Sequence, residues 1–315
     1  MSRYVKVSTI SFSGCHIKEK DAGVDTVDYV IADLERNINQ VLPDKPDIIV
    51  LPEVCDRPVA MTVDEIKDYY NQRGERILNY LKDKAKQNNC YIAYPCVCEI
   101  DNNVYNCCQM IDRSGNVIGV YKKNYTVIGE YTNYGTLCGD EATVFQCDFG
   151  TVACIICFDL NFDELRLRIK AIKPDMVIFP SNFFGGILQK YFAFDTRSYL
   201  VSALGHANLH GGVVSPIGQR IAESTLYYNH VTMDLNLDYA VVHLDYNTAK
   251  LRNLKEKYGR SVKIEDAGND LGCVLVSSES TEFTVKELLE EFEIPMVDEY
   301  FEQSAKHREK HLAKS

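Results

Sequence analysis

No stretch of this 315-residue chain approaches the ~18 consecutive apolar residues of a membrane span. Met1-Ser2-Arg3-Tyr4-Val5-Lys6 lacks the apolar region of a signal peptide, so a cytoplasmic protein without membrane association is expected. Basic residues are in deficit: 34 Lys and Arg face 45 Asp and Glu, a formal charge of −11. That balance argues against nucleic-acid binding, which needs a basic face to neutralise phosphates. Internal repeats and low-complexity segments are missing too. What remains, a chain with 46% hydrophobic residues, suits one enzyme-sized α/β domain with an appendage.

Cysteine, by contrast, is plentiful at 12 residues. Without a secretion signal these are expected to be reduced thiols, most of them small buried hydrophobes. Cys154-x-x-Cys157 has redox-motif spacing, but strand alternation points the two sulfurs to opposite faces. Cys96-x-Cys98 and Cys107-Cys108 lack a second spaced pair with histidine, so neither a metal site nor any cofactor is expected.

Strands and helices alternate as in layered α/β folds. Tyr4 to Phe12 reads as a strand, and Val27, Val30, Ile31, Leu34, Ile38 and Val41 recur at helical spacing. Asp47 to Leu51 is the next strand, Ile66 to Gln87 a single helix, and Cys90 to Cys98 a further strand. Tyr105 to Ile111 and Val117 to Tyr121 flank a turn, and a break at Asp148-Phe149-Gly150 splits Phe145 to Ile156 into a hairpin. Then come a helix from Asp159 to Ile172, a strand from Met176 to Phe179 and a helix from Gln189 to Tyr199. Strands follow at Ala203 to Asn208, Gly212 to Ser215 and Ala240 to Asp245. Residues after about 247 form an appendage. There Thr284-Val285-Lys286-Glu287 has capping-box form, and Val285, Leu288, Leu289 and Phe292 make an apolar stripe that must cover something.

Several apolar runs end on reactive groups. Thr151 to Ile156 leads into Cys157, and a cysteine between a strand end and a helix N-terminus is placed to favour thiolate. Asp47 to Leu51 leads through Pro52 into Glu53. Val117 to Tyr121 leads into Lys122 and Lys123, with Glu130 seven residues after the second lysine. Ligand crevices of α/β sheets lie outside the carboxyl ends of strands, so these ends are expected to converge.

Leu51-Pro52-Glu53, Tyr121-x-Lys123 with Glu130, and Cys157-Phe158-Asp159-Leu160-Asn161-Phe162-x-Glu164-x-Arg166 together resemble the Glu, Lys and Cys signatures of the nitrilase superfamily of carbon-nitrogen hydrolases. Pro174 to Asn182 and Ser215-Pro216-Ile217-Gly218 are similar to later turns of that family. The resemblance covers Val5 to Leu244. It implies a four-layer α-β-β-α sandwich over residues 1–247, with a C-terminal helical appendage at 248–315 packed on the domain or on a dimer partner. It implies Cys157 as nucleophile, Glu53 as acid and base, Lys123 with the Phe158 backbone N–H as oxyanion donors, and Glu130 in support. Asp159 and Arg166 read as cap and buried-pair residues, and His206 and His210 as structural or pocket-lining. Tyr125, Ser181, Asn182, Phe183 and Phe184 are expected near the substrate. The implied reaction is hydrolysis of a small amide or N-carbamoyl compound by a homodimer or larger homo-oligomer. Acyl transfer by the same residues and an idle binding or scaffold role stay open.

Overall fold

The computed structural model describes residues 1–15, 25–206 and 208–312. Its first sheet uses β1 (Tyr4–Ile10), β2 (Ile48–Val50), β3 (Tyr91–Ile100), β4 (Asn103–Ile111) and β5 (Val117–Lys122). The second sheet uses β6 (Val144–Cys147), β7 (Gly150–Cys154), β8 (Met176–Ser181), β9 (Tyr199–Leu204), β10 (Gly212–Val214) and β11 (Arg220–Glu223). The chain then returns to the first sheet as β12 (His230–Asn236), giving the order β12-β1-β2-β3-β4-β5 against β11-β10-β9-β8-β7-β6. In the middle of each sheet the strands run parallel, β1-β2-β3 in one and β7-β8-β9 in the other. Parallel strands buried on both faces need near-continuous apolar runs, and Ile48-Ile49-Val50 is such a run.

Period-two alternation divides each strand between two cores. Val7, Ile48, Val50, Ala93, Met110, Val152, Ile178 and Val201 meet between the sheets. Ile49, Ile92 and Tyr94 face outward onto α1 (Thr26–Ile38), α2 (Val63–Arg73) and α3 (Arg76–Asn88). The short helix α4 (Ile128–Tyr134) follows β5. On the far side Ala153, Val177 and Leu200 pack on α5 (Asp163–Ile172) and α6 (Gly186–Thr196). The four-layer α-β-β-α sandwich is therefore present.

Local differences have physical causes. The helix expected over Ile66 to Gln87 is two helices, because Gly74 closes α2 at φ +48, a conformation that favours glycine. The helix expected to reach Tyr199 stops at Thr196, where Arg197 turns left-handed at φ +57, so β9 begins earlier than Ala203. The first helix after Cys157 is only a 3-10 turn, Cys157–Asn161, and α5 starts at Asp163. Cys98 and Cys107 are joined in a disulfide, unlike the all-thiol expectation. Cys107 lies directly opposite Cys96, and Cys98 is two residues further on the same face, so pairing register brings these sulfurs together.

The appendage contains more than helices. Strands β13 (Tyr239–His243), β14 (Val262–Asp266) and β15 (Cys273–Ser278) form a third, antiparallel sheet in the order β13-β15-β14. β13 lies before residue 247 yet pairs only within this sheet. One face, with Val242, Val274 and Val276, packs on α7 (Thr248–Tyr258) and α8 (Val285–Glu291). The other face, with Val241 and Leu275, meets Ile217 of the main body and Val297 of α9 (Val297–His311). The stripe Val285, Leu288 and Leu289 is thus buried on its own chain, with Phe292 packed beside it. Leu288 is 1% exposed, so Leu288→Ala should cost about 2–5 kcal/mol in urea unfolding. The solvated neighbour Lys286→Ala should stay within about 0.5 kcal/mol of the parent.

Candidate active site

The parallel strands aim their carboxyl ends at one cavity of about 180 Å³, lined in part by Glu53, Lys123, Glu130, Cys157 and Asn182. Glu53 follows β2, Lys123 follows β5, Cys157 follows β7 and Asn182 follows β8. Glu130 comes from the first turn of α4, where its carboxylate also accepts the Val127 N–H at 2.9 Å. Two backbone positions beside the cavity are left-handed without being glycine: Val54 at φ +46 and Cys157 at φ +50. Such conformations typically cost ~1–3 kcal/mol each and persist only where the surroundings enforce them.

At Cys157 the enforcement comes from Asp159, which is fully buried. It accepts the Ile156 N–H at 2.8 Å, the Tyr121 hydroxyl at 2.7 Å and the Tyr125 N–H at 2.8 Å. One carboxylate thereby fastens the turn carrying the cysteine to the segment carrying the lysine. Arg166 also occupies the place expected of it, ion-paired with Asp195 and with Asp163 at 3.0 Å. Cys154 points into the inter-sheet core and forms no pair with Cys157.

The polar groups interlock around Lys123, which is 1% exposed. Its Nζ donates to Glu53 Oε1 at 2.9 Å and to Glu130 Oε2 at 2.7 Å. Asn106 Nδ2 bridges the same carboxylates, at 2.9 Å to Glu53 and 2.8 Å to Glu130. The second Glu53 oxygen accepts the backbone N–H and the side-chain amide of Asn182, both at 3.0 Å. Gly205 makes room for this, since a Cβ there would lie 2.3 Å from Asn182 Oδ1. The sequence reading missed Asn106. Its one signal is an amide in an otherwise apolar stretch of β4, Cys107-Cys108 on one side and Tyr105 on the other.

Charge states follow from this packing. Burial would raise the Glu53 carboxyl, but the Lys123 charge and the hydrogen bonds from Lys123 and Asn106 outweigh it and hold Glu53 below its ordinary value. Burial would strip Lys123 of its proton, yet the charges of Glu53 and Glu130 hold it protonated, above the usual lysine range. Burial pushes the Cys157 thiol up to about 11, with Glu53 adding to the rise and Lys123, Ser181 and Asn182 opposing it. The thiolate expected from a helix N-terminus is therefore not the resting state. The following helix is a single 3-10 turn, too short to offset desolvation.

Of the other residues named from sequence, Ser181 lies against the Cys157 thiol, while the rest are not part of the cavity lining. Ser181 is fully buried, its hydroxyl donating to the Phe183 carbonyl at 2.7 Å. Tyr125 stacks on Phe162 with centroids 3.6 Å apart and donates to Glu164. Phe184 lines a separate surface groove with Ile187 and Arg220, and Phe183 is 41% exposed; neither ring lines the cavity that holds Cys157. Phe158 is 38% exposed, and neither its ring nor His206 or His210 lines the cavity. Lys122 points away from the cavity, its ammonium 4.3 Å from the Tyr105 ring.

Two sheets back to back, with a thiol, a carboxylate and a lysine gathered at the strand ends, define a thiol-bearing hydrolase. The pattern of the carbon-nitrogen hydrolase family matches residues 19–226, and the chain belongs to that family. It is a hydrolase of carbon-nitrogen bonds other than peptide bonds. Among curated proteins it is similar to a deaminated glutathione amidase of Dictyostelium discoideum, 22% identical over 69% of this chain and 87% of that one. It is also similar to an omega-amidase of Xenopus tropicalis, 24% identical over 61% of this chain and 77% of that one. The fold is shared with Saccharomyces cerevisiae Nit3, at a TM-score of 0.60 and 20% identity over 78% of this chain and 94% of that one. An amidase from Nesterenkonia sp. AN1 shares it at a TM-score of 0.63 and 14% identity, over 74% and 91% of the respective chains.

The raised thiol sets a measurable profile. Iodoacetamide labelling of Cys157, read by peptide mass spectrometry, should accelerate through neutral pH and level off only near the thiol value of about 11. Because Lys123 lowers that value, Lys123→Met should shift the whole profile to higher pH. A plateau already reached at pH 7 would contradict a protonated resting thiol.

Proposed function

We propose that the protein hydrolyses a small amide through a thioester on Cys157. The observation carrying this reading is the buried Glu53-Lys123-Glu130 cluster sharing one cavity with Cys157. Glu53, ionised at rest, takes the thiol proton as sulfur attacks the amide carbonyl carbon. The carbonyl π electrons move to oxygen, and the Lys123 ammonium with the Phe158 backbone N–H faces the oxyanion. Glu53 then returns the proton to the leaving nitrogen, the carbon-nitrogen bond breaks and the amine or ammonia departs. Water, deprotonated by Glu53, attacks the thioester, and collapse releases the acid and restores the thiol. Glu130 acts on Lys123, fixing its position and charge. We further propose a homodimer, for which the exposed Leu167 of α5 and Ile187 and Tyr191 of α6 supply apolar surface.

Removal of parts should separate these roles. Cys157→Ala should abolish turnover and the acyl adduct seen by intact-mass spectrometry, while circular dichroism stays unchanged. Lys123→Met should lower kcat by about 10²–10³-fold, the scale of one oxyanion donor. Lys122→Met should have a far smaller effect, since its side chain lies on Tyr105. Turnover by folded Cys157→Ala, or an adduct on another cysteine, would refute the mechanism.

A further inference from the structure

Among the described residues ten cysteines are free thiols, and Cys98 and Cys107 alone are joined. Their bond runs diagonally across the β3–β4 ladder. Cys98 lies opposite Tyr105 and Cys107 opposite Cys96, so the rung enclosed between them is the pair Val97 and Asn106. Strand alternation turns the two groups to opposite faces. The sulfurs lie on the side of α2 and α3, whereas Val97 and Asn106 line the cavity that holds Cys157. A covalent link thus sits on the back of the rung whose amide holds Glu53 and Glu130.

Asn106 is tied on three sides. Its amide reaches the two carboxylates at 2.9 and 2.8 Å, and its backbone carbonyl accepts the Lys123 N–H at 2.8 Å. A shift of this one residue therefore reaches the carboxylate base and the lysine together. Opening the sulfur link forces such a shift, because two thiols stand at van der Waals distance where bonded sulfurs do not, and the space around them is already filled. Cys96 Sγ lies 3.9 Å from Cys107 Sγ, and both residues are fully buried. Val97 is anchored, its carbonyl held by Arg73 at 2.7 Å and Arg73 in turn by the buried Asp56, so the strand that yields is β4. Cys98 is half-buried, which leaves the link open to a small reagent from its side.

We infer that Cys98 and Cys107 form a redox-modification site, and that their disulfide holds the hydrolase in its working geometry. The inference rests on the amidase reading above and names a regulation of that site. Opening takes a dithiol: two electrons and two protons pass to the Cys98 and Cys107 sulfurs, their bond breaks, and the dithiol leaves as a disulfide. Closing takes a low-molecular-weight disulfide. The Cys98 thiolate attacks it and releases one thiol, then the Cys107 thiolate attacks the mixed disulfide at Cys98 and releases the second. The nucleophile is spared, since the thiolate is the reacting form and burial keeps Cys157 protonated.

Cystamine and dithiothreitol test this on the full chain. After cystamine and desalting, peptide mapping should find the Cys98–Cys107 bond and a free Cys157. Dithiothreitol should then open the bond and lower kcat on a turned-over amide by about 10- to 100-fold, the scale of a misplacement of up to ~1 Å in a catalytic site. That sign is the reverse of what a thiol nucleophile alone gives, since reduction restores such an enzyme. Cys98→Ala should match the opened enzyme and ignore both reagents, and Cys96→Ala, which keeps the bond, should respond as the parent does. Hydrogen-deuterium exchange of Cys157→Ala reads the site without turnover: the Lys123 backbone amide should exchange faster once the bond is open. If no amide is turned over while that difference in exchange holds, the modification site stands and the amidase reading fails. An unchanged kcat on opening the bond, a Cys98→Ala enzyme as active as the closed parent, or a pair that cystamine leaves open overturns the modification site.

Discussion

A lysine ammonium withdrawn from water must be met by negative charge at contact distance, and much of this molecule is arranged to meet that demand at Lys123. Desolvating an ion costs several kcal/mol even after relaxation, and removing one partner of a buried pair typically costs ~3–5 kcal/mol. Two carboxylates answer the charge, and each needs its remaining lone pairs occupied. Asn106 serves both, and Asn182 serves the outer oxygen of Glu53. Those groups come from β4, from α4 and from the segments after β2, β5 and β8, so both sheets must be in register before the lysine is satisfied. The sandwich and the site are one energetic problem.

The same arrangement divides protons between neighbours. Low dielectric alone would leave the carboxylate and the thiol both protonated; the lysine rescues the carboxylate and only partly relieves the thiol. Glu53 is thus a base at rest and Cys157 an acid beside it, which is the starting state a proton transfer requires. Asp159 stands apart from that exchange. Its burial pushes its carboxyl up to about 6, and it is given over to holding backbone and the Tyr121 hydroxyl.

What the sequence reveals of this depends on how local the signal is. Glu53, Lys123 and Cys157 each close an apolar run, and a charged or reactive group at the end of a buried strand stands out without any tertiary knowledge. Glu130 has a weaker signal, seven residues from a lysine, and still falls beside it. Asn106 is invisible because its partners are 53 and 24 positions away in the chain. The third sheet escaped because β14 is amphipathic and short, and its pairing with β15 joins strands on either side of a turn-rich segment, Gly268 to Gly272. The end of α6 was misread because nothing in Thr196-Arg197 marks a stop; tertiary packing imposes the left-handed turn.

The left-handed backbone at Cys157 limits what could ever replace it. At φ +50 a side chain branched at Cβ crowds its own main chain, so threonine or valine there would add strain of the kind Val54 bears at φ +46, while serine, alanine and glycine fit with less. The position is narrow in the repertoire open to mutation: a swap to the other common hydroxyl nucleophile, threonine, carries a cost in backbone strain before chemistry is consulted. Serine fits, but a hydroxyl beside the same Glu53 is a far weaker acid than a thiol. Stereochemistry and acidity thus converge on one element, sulfur, at this point in the chain.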